Sequence, residues 1–328
     1  MQEQGKIVWG EDLYAIAALS PYGYCASHAG KVLETYSDSQ KHNARAVIRE
    51  LMQEYETVVF SCEAWGRAPN AFSENCLFAD EFNVRVVAYV RPQVEWMNSA
   101  WWQWGAWTDL PLIRWIQKNR SKAKWHQILQ AWRRKSWVGN IDIRILEDDI
   151  VQDFVSHLGD YSISIQPYAN QGLPDIALRL FQRNRALRQS AHASAIEFIL
   201  SRNIAFGQNY EPTPWVLRPK LIAQLLDYYR SDNEALLDCL PEVQKIKIKG
   251  NAFWWDTGPY MEKPFHKAAD KKIPLEELEQ LTVDALQTIS RLDARLREFQ
   301  AGWMKLKGKI DFTKDDLESS GSLIRRVN

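Results

Sequence analysis

The sequence has no CxxC pair, no Cys/His cluster at metal-ligand spacing and no dense cysteine framework. Its four cysteines, Cys25, Cys62, Cys76 and Cys239, are irregularly spaced. That excludes a zinc-stapled or disulfide-stapled scaffold and fits reduced thiols. The six histidines are equally scattered, so no metal site is expected. A surplus of charge is missing too: Lys+Arg and Asp+Glu both number 41. Proteins that grip long nucleic acids carry a basic excess, so no nucleic-acid partner is expected. The first twelve residues carry Glu3, Glu11 and Asp12, and the apolar run Leu13–Leu19 is short, which is the wrong pattern for a signal peptide. The longest aromatic stretch, from Trp96 to Ile116, is broken by Asn98, Gln103, Asp109 and Arg114, so no membrane span is expected. These absences together read as a cytoplasmic protein.

Tryptophan, by contrast, is abundant. Fifteen occur in 328 residues, about three times ordinary usage, and many fall between Trp96 and Trp137. Such rings either fill a core or offer flat faces to sugars and bases.

Hydrophobic periodicity divides the chain into two halves. Asn43–Tyr55 has a helical pattern, and Thr57-Val58-Val59-Phe60-Ser61 follows as a continuous apolar run of the buried-strand kind. Val84–Val90 is a second such run. Ile141–Ile145 alternates, which suits a half-exposed strand near a sheet edge, with Gly139-Asn140 as the turn before it. Helical patterns at Gln93–Trp104, Leu112–Asn119 and Lys124–Trp137 lie between these strands, an alternation that predicts an α/β fold with a parallel sheet. Ligands in such sheets sit beyond the carboxyl ends of the strands. The second half reads as mainly helical, at Asp148–Leu158, Pro174–Gln189, Ala191–Ile199 and Lys220–Tyr229. Leu275–Phe299 is the clearest amphipathic helix, docked on its own domain or paired with a second copy as a homodimer. We therefore expect an α/β core over 1–165, a helical continuation over 166–272, a long helix over 273–304 and a mobile polar tail over 305–328.

One stretch carries chemistry. In Val84–Gln103 a strand ends at Arg91, and Pro92 stands where a first helical residue would. A guanidinium at a helix start can grip a phosphate with two parallel hydrogen bonds. Glu95, Ser99 and Gln103 follow at steps of four, so they share one helix face. Ser99 lies about 12 Å further along the axis than Arg91.

An Arg at a strand end with a Ser eight residues on resembles the 3′-phosphate-binding element of sulfotransferases. VVAYVRPQVEWMNSAWWQ is similar to the pattern R-x-Q-x-x-W/F-x-x-S of bacterial sulfotransferase-like proteins from polysaccharide clusters. VVFSCEAW (Val58–Trp65) resembles their apolar strand ending in Ser-x-Glu, and IDIRILEDDIVQDFVSHLG (Ile141–Gly159) their strand followed by an Asp-Phe helix. ANQGLPDIALRLFQRN (Ala169–Asn184) and LLDYYRSDNEALLDCL (Leu225–Leu240) are similar to two later Asn-bearing segments. The order of these pieces over residues 1 to 240 carries the resemblance. It implies a P-loop NTPase-like, sulfotransferase-like parallel sheet flanked by helices. It also implies 3′-phosphoadenosine 5′-phosphosulfate as sulfuryl donor, no metal, and a hydroxyl acceptor, expected to be a glycan. Arg91 and Ser99 would bind the donor, Glu63 would act as general base, and Trp101, Trp102, Trp104 and Trp107 would form an acceptor platform.

The family's opening strand and loop, approximately G-x-H-K-T-G-T-T, is not matched. Ser27-His28-Ala29-Gly30-Lys31 has suitable residue types but follows no adequate strand, and Met1–Gly10 resembles the segment that comes after the loop's helix. Two expectations stand side by side: a sulfotransferase whose start lies upstream, or a catalytically degenerate relative that binds nucleotide or glycan or assembles with polysaccharide-biosynthesis proteins. A nucleotide-sugar glycosyltransferase is the third class. Asp148-Asp149 is its only candidate metal element, and it reads better as a helix cap.

Overall fold

The computed structural model describes residues 18–19, 25–26, 37–54, 56–59, 63–66, 69–72, 78, 81–146, 150–158, 172–204, 206, 210–270 and 272–324. Among them the architecture is α/β with a helical majority. Two short strands, β1 (Ala18–Leu19) and β2 (Cys25–Ala26), pair antiparallel. Helices α1 (Asp38–Glu54) and α2 (Glu63–Gly66) follow.

The centre is a parallel pair, β3 (Val84–Val90) and β4 (Val138–Ile145), as the strand–helix alternation predicts. Val86 lies opposite Ile141 and Val90 opposite Ile145. Gly139 and Asn140, expected as a turn, belong to β4. Val84 faces Val138 and Arg85 faces Asn140, so Gly139 is the extra residue of a bulge. A Cβ on Gly139 would stand 2.7 Å from Asn83 Oδ1, which is why glycine suits the position.

The crossover holds α3 (Gln93–Gln103), α4 (Leu112–Asn119) and α5 (Trp125–Arg133). Next come α6 (Ile150–Leu158), α7 (Asp175–Arg183) and α8 (Ala195–Asn203). The chain ends with α9 (Pro219–Leu237), α10 (Glu242–Gly250), the single turn α11 (Gly258–Met261) and α12 (Leu275–Ile324). The amphipathic helix therefore continues through most of the segment expected as a tail.

α3 is the hub of the main core. Its Val94, Met97, Ala100 and Trp101 pack in one cluster with Ile143 of β4, Trp115 of α4, Phe181 of α7, and Leu225 and Tyr229 of α9. A second cluster gathers Phe72, Phe78, Trp132 and Trp137 beside the start of the sheet. Tryptophans thus fill interior space between these elements, where their large rings contribute much of the buried area.

The first expected strand does not form. Thr57-Val58-Val59 belongs to no ladder, and Val59 is 46% exposed. β-Branched residues favour extended backbone, but a strand needs a neighbour to bond, and among the described residues β3 pairs only with β4. Phe60, Ser61 and the Ser27–Lys31 segment lie outside the described residues.

Candidate functional site at the end of the first parallel strand

β3 and β4 run parallel, so their carboxyl ends open side by side, and Leu146 N–H donates to the Val90 carbonyl at 2.8 Å to extend the pairing. Arg91 leaves the strand there, and Pro92, buried, forms the N-cap of α3. The Pro92 carbonyl accepts the first helical bond, from Trp96 N–H at 3.0 Å. The strand-to-helix turn is pinned from two sides. The Trp125 indole donates to the Arg91 carbonyl at 2.8 Å. The buried amide of Gln93 bonds that of Asn233 on α9, which is fully buried and also donates to the Trp254 carbonyl.

Trp125 is itself held in place. It opens α5, whose second and third N–H groups, on His126 and Gln127, donate to the Asp232 carboxylate at 3.0 and 3.2 Å. Asp232 is buried, and that burial raises its pKa against the opposing pull of the two N–H donors. A carboxylate from α9 thus caps α5, and α5 anchors the backbone of Arg91. The sequence did not announce this relay, because its parts are 106 and 34 residues apart.

Side-chain placement follows the helix. α3 is buried nearly all round, and its least buried line is Glu95, Ser99 and Gln103, the stripe expected from their spacing. Arg91 and Ser99 are both half-buried. Lys263 reaches this stripe, its Nζ 3.4 Å from a Glu95 carboxylate oxygen and 5.1 Å above the Trp215 ring. The turn and the stripe beyond it thus carry the Arg91 guanidinium, the Lys263–Glu95 ion pair and the Ser99 hydroxyl, with partial solvent access.

The tryptophan platform does not form. Trp101, Trp102 and Trp107 are 5%, 4% and 3% exposed. Trp102 donates its indole N–H to the Pro214 carbonyl at 2.7 Å, and Trp107 donates to the Trp102 carbonyl at 2.7 Å. Their ring faces are covered by cations, Arg179 over Trp102 at 5.1 Å and Arg188 over Trp107 at 4.4 Å. Arg188 is so enclosed that burial lowers its pKa to about 10. Trp101 packs edge-on against Trp115, and half-buried Trp104 packs against Trp96. Trp101, Trp102 and Trp107 therefore offer a sugar no open face, and Trp104 alone of the four keeps partial exposure. Glu63 begins α2, one turn of helix; Phe60, Ser61 and Cys62 before it, and its own side chain, lie outside what the structure describes.

A second polar constellation was visible in the sequence only as alternation. Arg85 and Tyr89 of β3 and Asp142 and Arg144 of β4 meet Asp153 and His157 of α6. Arg144 grips Asp153 with two bonds, one of 2.6 Å, and the Tyr89 hydroxyl donates to the same carboxylate at 2.6 Å. The guanidinium hydrogen bond holds Asp153 down to about 2, while burial and that carboxylate push the Tyr89 phenol up. Neither group exchanges a proton near neutral pH. This network fastens α6 to the sheet.

Among the described residues no helix is long and apolar enough to cross a membrane, and no group of three or more His, Cys, Asp or Glu is placed to hold a metal ion. Comparison with protein-family models, curated proteins and solved structures finds no match to this chain.

Proposed function

We propose that the strand end at Arg91 binds the 3′-phosphate of an adenine nucleotide, and that the chain is a sulfotransferase-like protein whose donor is 3′-phosphoadenosine 5′-phosphosulfate. One observation carries this reading. Arg91 leaves the carboxyl end of a parallel strand directly into a helix whose only half-open stripe contains Ser99. For one phosphate to meet both groups, the Arg91 guanidinium folds along α3 toward the Ser99 hydroxyl, about two turns past the helix start. The resemblance of Val84–Gln103 to the sulfotransferase element supplies the identity of the nucleotide, and the P-loop-type fold belongs to the same proposal.

The reaction would be an in-line displacement. The acceptor hydroxyl oxygen attacks sulfur, the bond from sulfur to the bridging phosphate oxygen breaks, and the hydroxyl proton passes to a base. The products are a sulfate ester and adenosine 3′,5′-bisphosphate. Glu63 remains the candidate base by resemblance. With the tryptophan platform withdrawn, no acceptor surface is assigned, so nucleotide binding is expected whether or not the chain transfers sulfate.

The test is thermal unfolding with adenosine 3′,5′-bisphosphate. A ligand at one hundred times its Kd stabilises the folded state by about 2.7 kcal/mol, a shift of several degrees. Arg91→Ala should abolish the shift while leaving the backbone anchor intact, because the Trp125 indole bonds the Arg91 carbonyl. No shift at millimolar nucleotide refutes the assignment. Sulfuryl transfer to a panel of glycans then separates the enzyme from the non-catalytic binder.

A further inference from the structure

Among the described side chains, α12 docks on the body through its beginning. Leu281 is buried, Asp284 accepts from the Tyr210 hydroxyl, and Thr288 and Arg291 donate to the Asn203 carbonyl at 3.2 and 2.8 Å. From Leu292 to Trp303 every side chain is exposed, including Leu296 at 53%, Phe299 at 70% and Trp303 at 57%. The helix nonetheless continues to Ile324. At 1.5 Å per residue it is about 75 Å long, and well over half of that lies past its last bond to the body.

Beyond the docked turns, most apolar residues of the helix fall in one pattern. Ile289, Leu296, Trp303, Ile310, Leu317 and Ile324 recur at intervals of seven, and Leu292, Phe299 and Leu306 fall three positions after the first three of them. These are the a and d positions of a heptad repeat. The docking residues Leu281, Asp284, Thr288 and Arg291 take the g and c positions, about 100° further round the helix. The seam is therefore turned away from the body while the body is bound.

The period identifies the kind of partner. On a straight helix a seven-residue repeat drifts by about 20° per heptad, or about 100° from Ile289 to Ile324. Such a stripe would wind off any flat surface; only a second long helix that supercoils with it stays in contact. Among the described residues the next longest helix is α9, and its apolar residues Ile222, Leu225, Leu226, Tyr229 and Leu236 are already in the core. No described helix is free to supply the partner, and a second copy brings a seam of matching length and phase. Aliphatic seam residues at about 60–120 Å² each, with Phe299 and Trp303 at about 150–250 Å², offer about 600–1,100 Å² per helix between Ile289 and Ile310. A stable interface buries about 800 Å² per partner.

We propose that α12 is the dimerisation element of this protein, a two-stranded coiled coil formed with α12 of a second copy through the seam from Ile289 to Ile324. The full chain should sediment at twice its 38.1 kDa mass at tens of micromolar. Leu296→Glu with Phe299→Glu should halve that mass without altering the Tm of the body, since both side chains are exposed on the single chain. Ala301→Glu, at an outward f position, should leave the dimer intact. A wild-type chain that sediments as a monomer overturns the proposal, and one that also pelleted with phosphatidylglycerol vesicles would show that lipid covers the seam instead. A Leu296→Glu/Phe299→Glu variant that remained dimeric would equally overturn it.

Discussion

Replacing Trp102 with Phe separates a core role from a ligand-stacking role. Trp102 is 4% exposed, donates to the Pro214 carbonyl at 2.7 Å and lies under the Arg179 guanidinium at 5.1 Å. Phe keeps an aromatic ring attached at Cβ but removes the N–H and the outer carbons of the indole. The lost carbons cost about 1–2 kcal/mol in transfer and cavity energy. The Pro214 carbonyl keeps a weaker donor, the Asn98 side-chain amide at 3.3 Å, so losing the indole bond adds about 1 kcal/mol, the lower end of the range for a buried acceptor. The expected total is about 2–3 kcal/mol, seen in urea unfolding as a lower midpoint at unchanged slope, and in heating as a Tm lower by about 3–5 °C. Gln103→Ala, on the exposed stripe of the same helix, should stay within about 0.5 kcal/mol of wild type. A Trp102→Phe chain of wild-type stability would mean that the ring is not packed as described, and the acceptor-platform role would have to be restored.

Two further predictions follow from the packing and the ion network. Asp153→Asn should cost about 1–2 kcal/mol at pH 7, a figure reduced from the full linkage value because the carboxylate is partly solvated. The Asp153 pKa is lowered from 3.8 to about 2 in the folded chain, so its stabilisation is complete above its ordinary value and fades as pH falls through the folded one. The difference in urea midpoint between wild type and Asp153→Asn should therefore narrow between pH 4 and pH 2, and a constant gap would contradict the Arg144–Asp153 assignment. Gly105→Ala should destabilise by about 1–3 kcal/mol in the same assay, because the new Cβ would meet Trp101 Cε3 at 2.3 Å and Trp115 Cδ2 at 2.7 Å. An unchanged Tm would show that these two rings have room to move.

The parts of this molecule that were legible in sequence are those where one residue pattern admits one environment. Val84–Val90 is a β-branched run closed by Arg-Pro, and a proline that starts a helix also ends the strand, so β3, the start of α3 and the position of Arg91 were all readable from seven or eight residues. The Glu95–Ser99–Gln103 stripe was readable for the same reason: a spacing of four is a statement about one helix face. Thr57–Val59 shows the converse. Its composition is as strand-like as that of β3, but a strand is a property of two segments, and composition describes one. The tryptophans fail in another way. Trp101 and Trp102 are adjacent on a helix and point about 100° apart, so on an amphipathic helix one of them should face solvent. Both are buried because α3 is enclosed by α4, α7 and α9 together, a condition set by residues more than a hundred positions away in α9. The same distance hides the Asp232–α5–Trp125–Arg91 relay, in which the carboxylate lies 106 residues from the N–H it caps. Local pattern located the candidate site; long-range burial decided which of its neighbours could take part.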